Sequence, residues 1–215
     1  DQPRSRGLGD VYKRQVQDLA SVGLRPVKAI VIGASAGGVE ALLAIFADLQ
    51  PGYRLPIIVV LHLPDDRRSL LASVFARRLS MPVKEVDDKE PIVPGTLYFA
   101  APGYHVSVEH DYSFSLSREE RVHYSRPSID YLFESAADVY QDALAAILLT
   151  GANQDGAQGL DTVKQLGGLT VVQDPAQAWV PTMPLAALER CQPDAILPLE
   201  GIARLLVELE RIECH

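Results

Sequence analysis

Residues Val27 to Gly38 hold the feature that most constrains how this chain can fold. An unbroken apolar run, Ala29-Ile30-Val31-Ile32, reads as a buried strand, stops at Gly33 and passes one serine among small residues. The pattern reopens as a helix at Val39, with Leu42, Leu43 and Phe46 at helical spacing and a stop at Pro51-Gly52. Strand, tight turn, serine and helix form the layout of a nucleophile elbow, and Gly33-Ala34-Ser35-Ala36-Gly37 satisfies G-x-S-x-G. Flanking glycines let the backbone turn sharply, so the hydroxyl projects from the strand tip. The helix start leaves N–H groups unpaired beside it, where an oxyanion would develop. The same small-residue turn also suits plain packing or a phosphate-binding loop in a doubly wound sheet.

Further apolar runs extend this pattern. Leu55 to Leu61 ends at His62-Leu63-Pro64, and strand, helix, strand makes a right-handed βαβ unit whose strands run parallel. Ser35 and His62 then stand past neighbouring strand tips, on strands ~4.8 Å apart. A helix is expected over 67–79. Residues 83–117 break into short alternating runs between Pro and Gly turns, which predicts antiparallel hairpins attached to the main sheet. Ser128 is placed at the start of a helix reaching about Tyr140. Ala143 to Leu149 reads as a strand buried on both faces, and Thr150 to Ala157 as a second glycine-bounded turn. A helix over 157–166, a strand over 169–173, a short helix from Met183, a weak strand at Ala195 and an amphipathic terminal helix complete the order. The fold class is therefore α/β: a doubly wound, mostly parallel sheet with helices on both faces and an antiparallel hairpin region.

Composition narrows the function classes. The 215 residues carry a net charge of -8 and no basic stripe, which argues against nucleic acid as partner. No apolar run is long enough to insert in a membrane. Cys191 and Cys214 stand at no metal-type spacing, so free thiols and a reducing, cytoplasmic location are expected. Residues 1–25 are polar and aperiodic and are assigned to a disordered or non-native leader, leaving 26–215 as the folded domain. His105, His110, His123 and His215 pair with no ligand at metal spacing, so neither metal nor cofactor is expected. The turn after the first strand lacks G-x-G-x-x-G, and no G-K-[ST] is present, which removes the dinucleotide and P-loop readings.

Three polar residues follow three apolar strands on one edge: Ser35, His62 and Asp155. Serine as nucleophile, histidine as base and aspartate as its orienter make an acyl-transfer triad. The order Ser, His, Asp differs from that of the α/β-hydrolases. Each residue also has a plainer use. Ser35 suits a turn, His62 a half-buried strand end, and Asp155 the N-cap of the helix that follows it.

With these residues in place, the chain resembles the catalytic domain of the bacterial chemotaxis protein-glutamate methylesterases, the CheB family. The matching blocks are Ile32 to Gly38, His62-Leu63-Pro64, Ala101 to His105, Ser125 to Asp130, Leu149-Thr150-Gly151, Asp155-Gly156-Ala157 and Met183-Pro184. The resemblance implies Ser35 as nucleophile, His62 as base and Asp155 as orienter. It also implies oxyanion contacts from the backbone N–H groups of Ala36 and Ala152, and a substrate groove involving Met183, Arg126 and Ser128. The implied reaction is hydrolysis of glutamate γ-methyl esters on the cytoplasmic helices of chemoreceptors, with glutamine deamidation alongside.

The chain departs from the family's pattern at Ala152 and Asn153, where Met-Gly is frequent, at Ala36, where threonine is common, and at Leu61. The leader is also too short to fold as the receiver domain that often precedes such a domain. Two rival readings follow: a hydrolase of a different ester or amide, and a non-catalytic module that binds a signalling partner.

Overall fold

The computed structural model describes residues 22–63 and 70–213. Seven strands form one parallel sheet: β1 (Ala29–Ala34), β2 (Ile57–Leu61), β3 (Val83–Glu85), β4 (Leu97–Phe99), β7 (Leu144–Leu148), β8 (Leu169–Gln173) and β9 (Ala195–Leu197). Their spatial order is β3-β4-β2-β1-β7-β8-β9. The chain winds outward from β1 in one direction and then restarts at β7 on the other side, so the order reverses between β1 and β7. Open α/β sheets bind ligands at such a reversal, beyond the carboxyl ends of the strands.

Successive residues of each central strand point to opposite faces, and both faces are dry. Ile30, Ile32, Val59 and Ile147 pack under α1 (Gly38–Phe46), α2 (Leu71–Ala76) and the terminal helix α6 (Leu199–Glu213). Phe75 joins this layer to the sheet, its ring 6.1 Å from Phe46 and 5.0 Å from Phe99. Val31, Val60, Ala146 and Leu148 face α3 (Ile129–Tyr140), α4 (Ala157–Gln165) and α5 (Thr182–Arg190). This two-sided burial is why the strands read as continuous apolar runs.

Residues 83–117 differ from expectation. β3 and β4 pair in parallel and belong to the main sheet, whereas only β5 (His105–Val108) and β6 (Phe114–Ser117) form an antiparallel hairpin, in a small sheet of their own. Segments of three residues carry too little periodicity to reveal their direction. The expected boundary at residue 26 differs as well. Val22 is buried in the core and the Arg25 guanidinium donates to the Gly167 carbonyl, so residues 22–25 belong to the fold. The rest of that expected leader, the first residues of the helix expected over 67–79, Pro64, Cys214 and His215 lie outside the described residues. Among the described residues no helix is long and apolar enough to cross a membrane.

Candidate active site

The serine turn follows from two glycines. At Gly33 an added Cβ would lie 2.4 Å from Ile129 Cγ2 and 2.9 Å from Leu148 Cδ1, because the start of α3 crosses β1 there. Gly37 has φ 78°, the left-handed region, and Trp179 covers it so closely that an added Cβ would lie 2.7 Å from the Trp179 Cβ. The left-handed residue is therefore Gly37 and not the serine, which distinguishes this turn from the strained elbow of G-x-S-x-G hydrolases. The Ser35 N–H donates to the Thr150 carbonyl at 2.9 Å, and the Ser35 carbonyl accepts the Gly38 N–H at 2.8 Å. Thr150 ties the turn down further. Its hydroxyl donates to the Ala36 carbonyl at 2.8 Å and accepts the Val180 N–H, while its own N–H donates to Gln173 Oε1.

His62 continues the β1–β2 register by one step, its N–H donating to the Ala34 carbonyl at 3.0 Å. Its ring is held from below, with Nε2–H donating to Asp155 Oδ2 at 2.8 Å. Asp155 is fully buried and is not the cap of the helix that follows it; the N-cap of α4 is Gly156. Instead its carboxylate closes the start of α3. It accepts the Ile129 N–H at 2.7 Å, the Asp130 N–H at 3.1 Å and the Ser128 hydroxyl at 2.8 Å. Burial pushes the Asp155 carboxyl up. The hydrogen bonds from His62 and the Ile129 N–H, with the His62 charge, outweigh it and hold the group below its ordinary range. A helix N-terminus is where a carboxylate is most comfortable.

The structure thus joins His62 to Asp155. Ser35 lies on the adjacent strand tip, with no hydrogen bond between it and His62 among the described residues. Hydrogen bonds to a nucleophile often tighten only once substrate is bound. With Nε2 engaged by Asp155, Nδ1 is the nitrogen open to a proton, and it faces Ser125 Oγ at 3.4 Å. Neither the Ala36 nor the Ala152 N–H meets an acceptor among the described residues.

The expected groove residues divide. Met183 has no exposed surface, since its side chain fills the space against Gly151, and it cannot touch a substrate. Ser128 is equally buried, its hydroxyl spent on Asp155, so it belongs beneath the site. Only Arg126 stays at the rim. There it lines a cavity of about 60 Å³ with His62, Arg121, Tyr124 and Ser125.

Several contributors were not singled out in the sequence. Asp130, also buried, accepts the Gly156 and Gly159 N–H groups at the start of α4. Its own burial and the charge of Asp155 push its carboxyl up to about 7. His105 is buried as a neutral ring, with Nδ1 accepting the Ser128 N–H and Nε2–H donating to the Glu120 carbonyl. Asp130 lies in a block that carried the family resemblance, which was the available signal; Ser125 and Asn153 meet only through folding.

Comparison with known proteins adds to this geometry. Residues 30–206 match the family model described as CheB methylesterase. A putative protein-glutamate methylesterase/protein-glutamine glutaminase of Leptospira interrogans is 45% identical over 184 residues, covering 86% of this chain and 95% of that protein. The protein-glutamate methylesterase/protein-glutamine glutaminase of Nitrobacter winogradskyi is 34% identical over 97% of this chain, which spans 50% of that longer relative. The crystal structure of the Thermotoga maritima CheB methylesterase catalytic domain superposes with a TM-score of 0.81 at 31% identity, covering 86% of this chain and all of that one.

Proposed function

The chain belongs to the CheB methylesterase family, and from that premise we propose that it is a serine hydrolase acting on glutamate γ-methyl esters of chemoreceptors, with glutamine deamidation as a companion reaction. The relatives' names describe both reactions. The observation that carries the reading is the 2.8 Å His62–Asp155 hydrogen bond, locked by the N-terminus of α3 and set one strand from Ser35.

In this mechanism the Ser35 hydroxyl attacks the ester carbonyl while His62 Nδ1 takes its proton. The N–H groups of Ala36 and Ala152 hold the oxyanion. His62 returns the proton to the departing methoxide, releasing methanol and leaving an acyl-serine. Water, deprotonated by His62, then cleaves the acyl-serine, giving the glutamate carboxylate and free Ser35. Net charge of -8 does not steer an acidic receptor helix, but Arg121 and Arg126 beside His62 supply cationic charge at the rim itself. Tyr124, 95% exposed, lines that rim, and Trp179, 83% exposed, covers the serine turn at Gly37; both offer aromatic surface to a docked helix.

The test is methanol release from methylated receptor, with Ser35→Ala as control. A loss in kcat of about 10⁴-fold or more is expected. Full activity in that variant overturns the reading. Labelling of Ser35 by a fluorophosphonate without methanol release would point to a different ester or amide, and no labelling at all to a binding module.

A further inference from the structure

Four hydrogen bonds around His62 close a ring in which every member donates to the next. The Asp155 N–H donates to Asn153 Oδ1 at 3.2 Å, and Asn153 Nδ2 donates to Ser125 Oγ at 3.2 Å. Ser125 Oγ stands 3.4 Å from His62 Nδ1, and His62 Nε2–H returns to Asp155 Oδ2 at 2.8 Å. The directions are fixed by what each atom can do. Asn153 Oδ1 is taken by a backbone N–H, so its amide nitrogen is the atom that faces Ser125. Ser125 Oγ accepts from that nitrogen, which frees its O–H for an acceptor. Among the described residues the acceptors in reach are His62 Nδ1 and, at the 3.5 Å limit, the His123 carbonyl. Bonds arranged head to tail polarise one another.

From this ring we infer that Ser125, oriented by Asn153, is a positioning residue for His62. Asp155 sets the tautomer with the proton on Nε2, and the Ser125 hydroxyl keeps the bare Nδ1 lone pair aimed at the site. The inference rests on the hydrolase reading above. At 3.4 Å the contact orients the Nδ1 lone pair without holding it as tightly as a 2.8 Å bond would, so Ser35 can take it over when an ester binds. Two features support a designed placement. The turn that carries Ser125 has His123 and Tyr124 both at positive φ, 47° and 64°, a conformation that costs non-glycine residues about 1–2 kcal/mol each. Its backbone pairs Val122 with Ser125 in both directions, which fixes the serine over the imidazole. Asn153 stands where the family pattern frequently has glycine, which has no side chain to close such a ring. Among the described residues the charged groups facing His62 are Asp155 beneath it and Arg121 and Arg126 across the small cavity, and the variants below leave all of these in place.

The experiment compares wild type with Ser125→Ala, Ser125→Thr and Asn153→Gly. Imidazole ¹⁵N spectra report the hydrogen bonding of His62 Nδ1 without any need for turnover. Fluorophosphonate labelling of Ser35 against pH reports nucleophile activation. We expect the Nε2–H tautomer in wild type and in Ser125→Ala alike, with the Nδ1 resonance displaced in the variant and labelling and kcat slowed about 5- to 10-fold, as for one lost hydrogen bond. KM should hold. Ser125→Thr should restore all three readouts, and Asn153→Gly should shift them in the direction of Ser125→Ala, by less. An unchanged Nδ1 resonance and labelling rate in Ser125→Ala overturns the inference, as does a lowered melting temperature alone. Wild type whose Nδ1 resonance responds to Ser125→Ala, yet never labels, would sink the hydrolase reading while leaving the positioning role standing.

Discussion

Asp155 and Asp130 cap each other's helices. Asp155, just before α4, accepts the Ile129 and Asp130 N–H groups at the start of α3, and Asp130, in the first turn of α3, accepts the Gly156 and Gly159 N–H groups at the start of α4. Two buried carboxylates are thereby held close together, each stabilised by the positive end of a helix. The exchange locks the α3–α4 pair and fixes the oxygen that receives the His62 N–H.

The arrangement costs something at Asp130. Its burial and the neighbouring Asp155 charge raise its carboxyl from an ordinary 3.8 to about 7. A group whose value rises on folding stabilises the fold below its unfolded value, and that contribution is lost as pH climbs through the folded one. Asp130→Asn keeps an oxygen for Gly156 and Gly159 and removes the charge. Urea unfolding should therefore find the variant close to wild type at pH 5 and more stable at pH 8. A variant less stable than wild type by the same margin at both values would show that the charge of Asp130 is not what limits stability.

His105 works in the opposite sense. Burial holds its imidazole below the ordinary 6.5, and the neutral ring is required because Nδ1 accepts the Ser128 N–H at 3.1 Å. Its contribution is complete above pH 6.5 and falls away as the pH drops from there toward the folded value. His105→Phe can still stack on Tyr131 but leaves that N–H unpaired, at about 1–3 kcal/mol. The urea midpoint of wild type should converge on that of His105→Phe between pH 7.5 and pH 5. A constant gap would mean that the ring does not titrate against folding.

How far the sequence could be read depended on the length of each signal. β1, β2 and β7 are long apolar runs buried on both faces, so their existence, parallel direction and common edge followed from pattern alone. That placed Ser35, His62 and Asp155 on one rim before any coordinates. β3 and β4, three residues each, carry no such period, and their flanking Pro and Gly turns look the same as those of a hairpin. Met183 and Ser128 carried motif letters, but a motif does not say which side of the backbone faces solvent. Packing against Gly151 and the pull of Asp155 decided both. Asp155 itself was legible as a site residue but not as the cap of a helix that begins 26 residues earlier, at Ile129. Ser125 and Asn153 lie 28 residues apart, and nothing local foretells their hydrogen bond.

The close crossing at Gly33 links the serine turn to the aspartate. A Cβ added at Gly33 would lie 2.4 Å from Ile129 Cγ2 and 3.0 Å from its Cδ1, and Ile129 is the residue whose N–H anchors Asp155. Overpacking there should push the start of α3 away from β1, and with it the carboxylate under His62. Gly33→Ala should cost about 1–3 kcal/mol, and Ile129→Ala alone about 2–5 kcal/mol for the cavity it leaves. The double variant removes both Ile129 methyl contacts and leaves the one with Leu148 Cδ1 at 2.9 Å, so it should be less destabilised than the sum of the single changes. Fluorophosphonate labelling of Ser35 should follow the same order, impaired in Gly33→Ala and partly recovered in the double variant. Strict additivity in unfolding, with no recovery of labelling, would mean that the turn and the helix start do not act on each other through this contact.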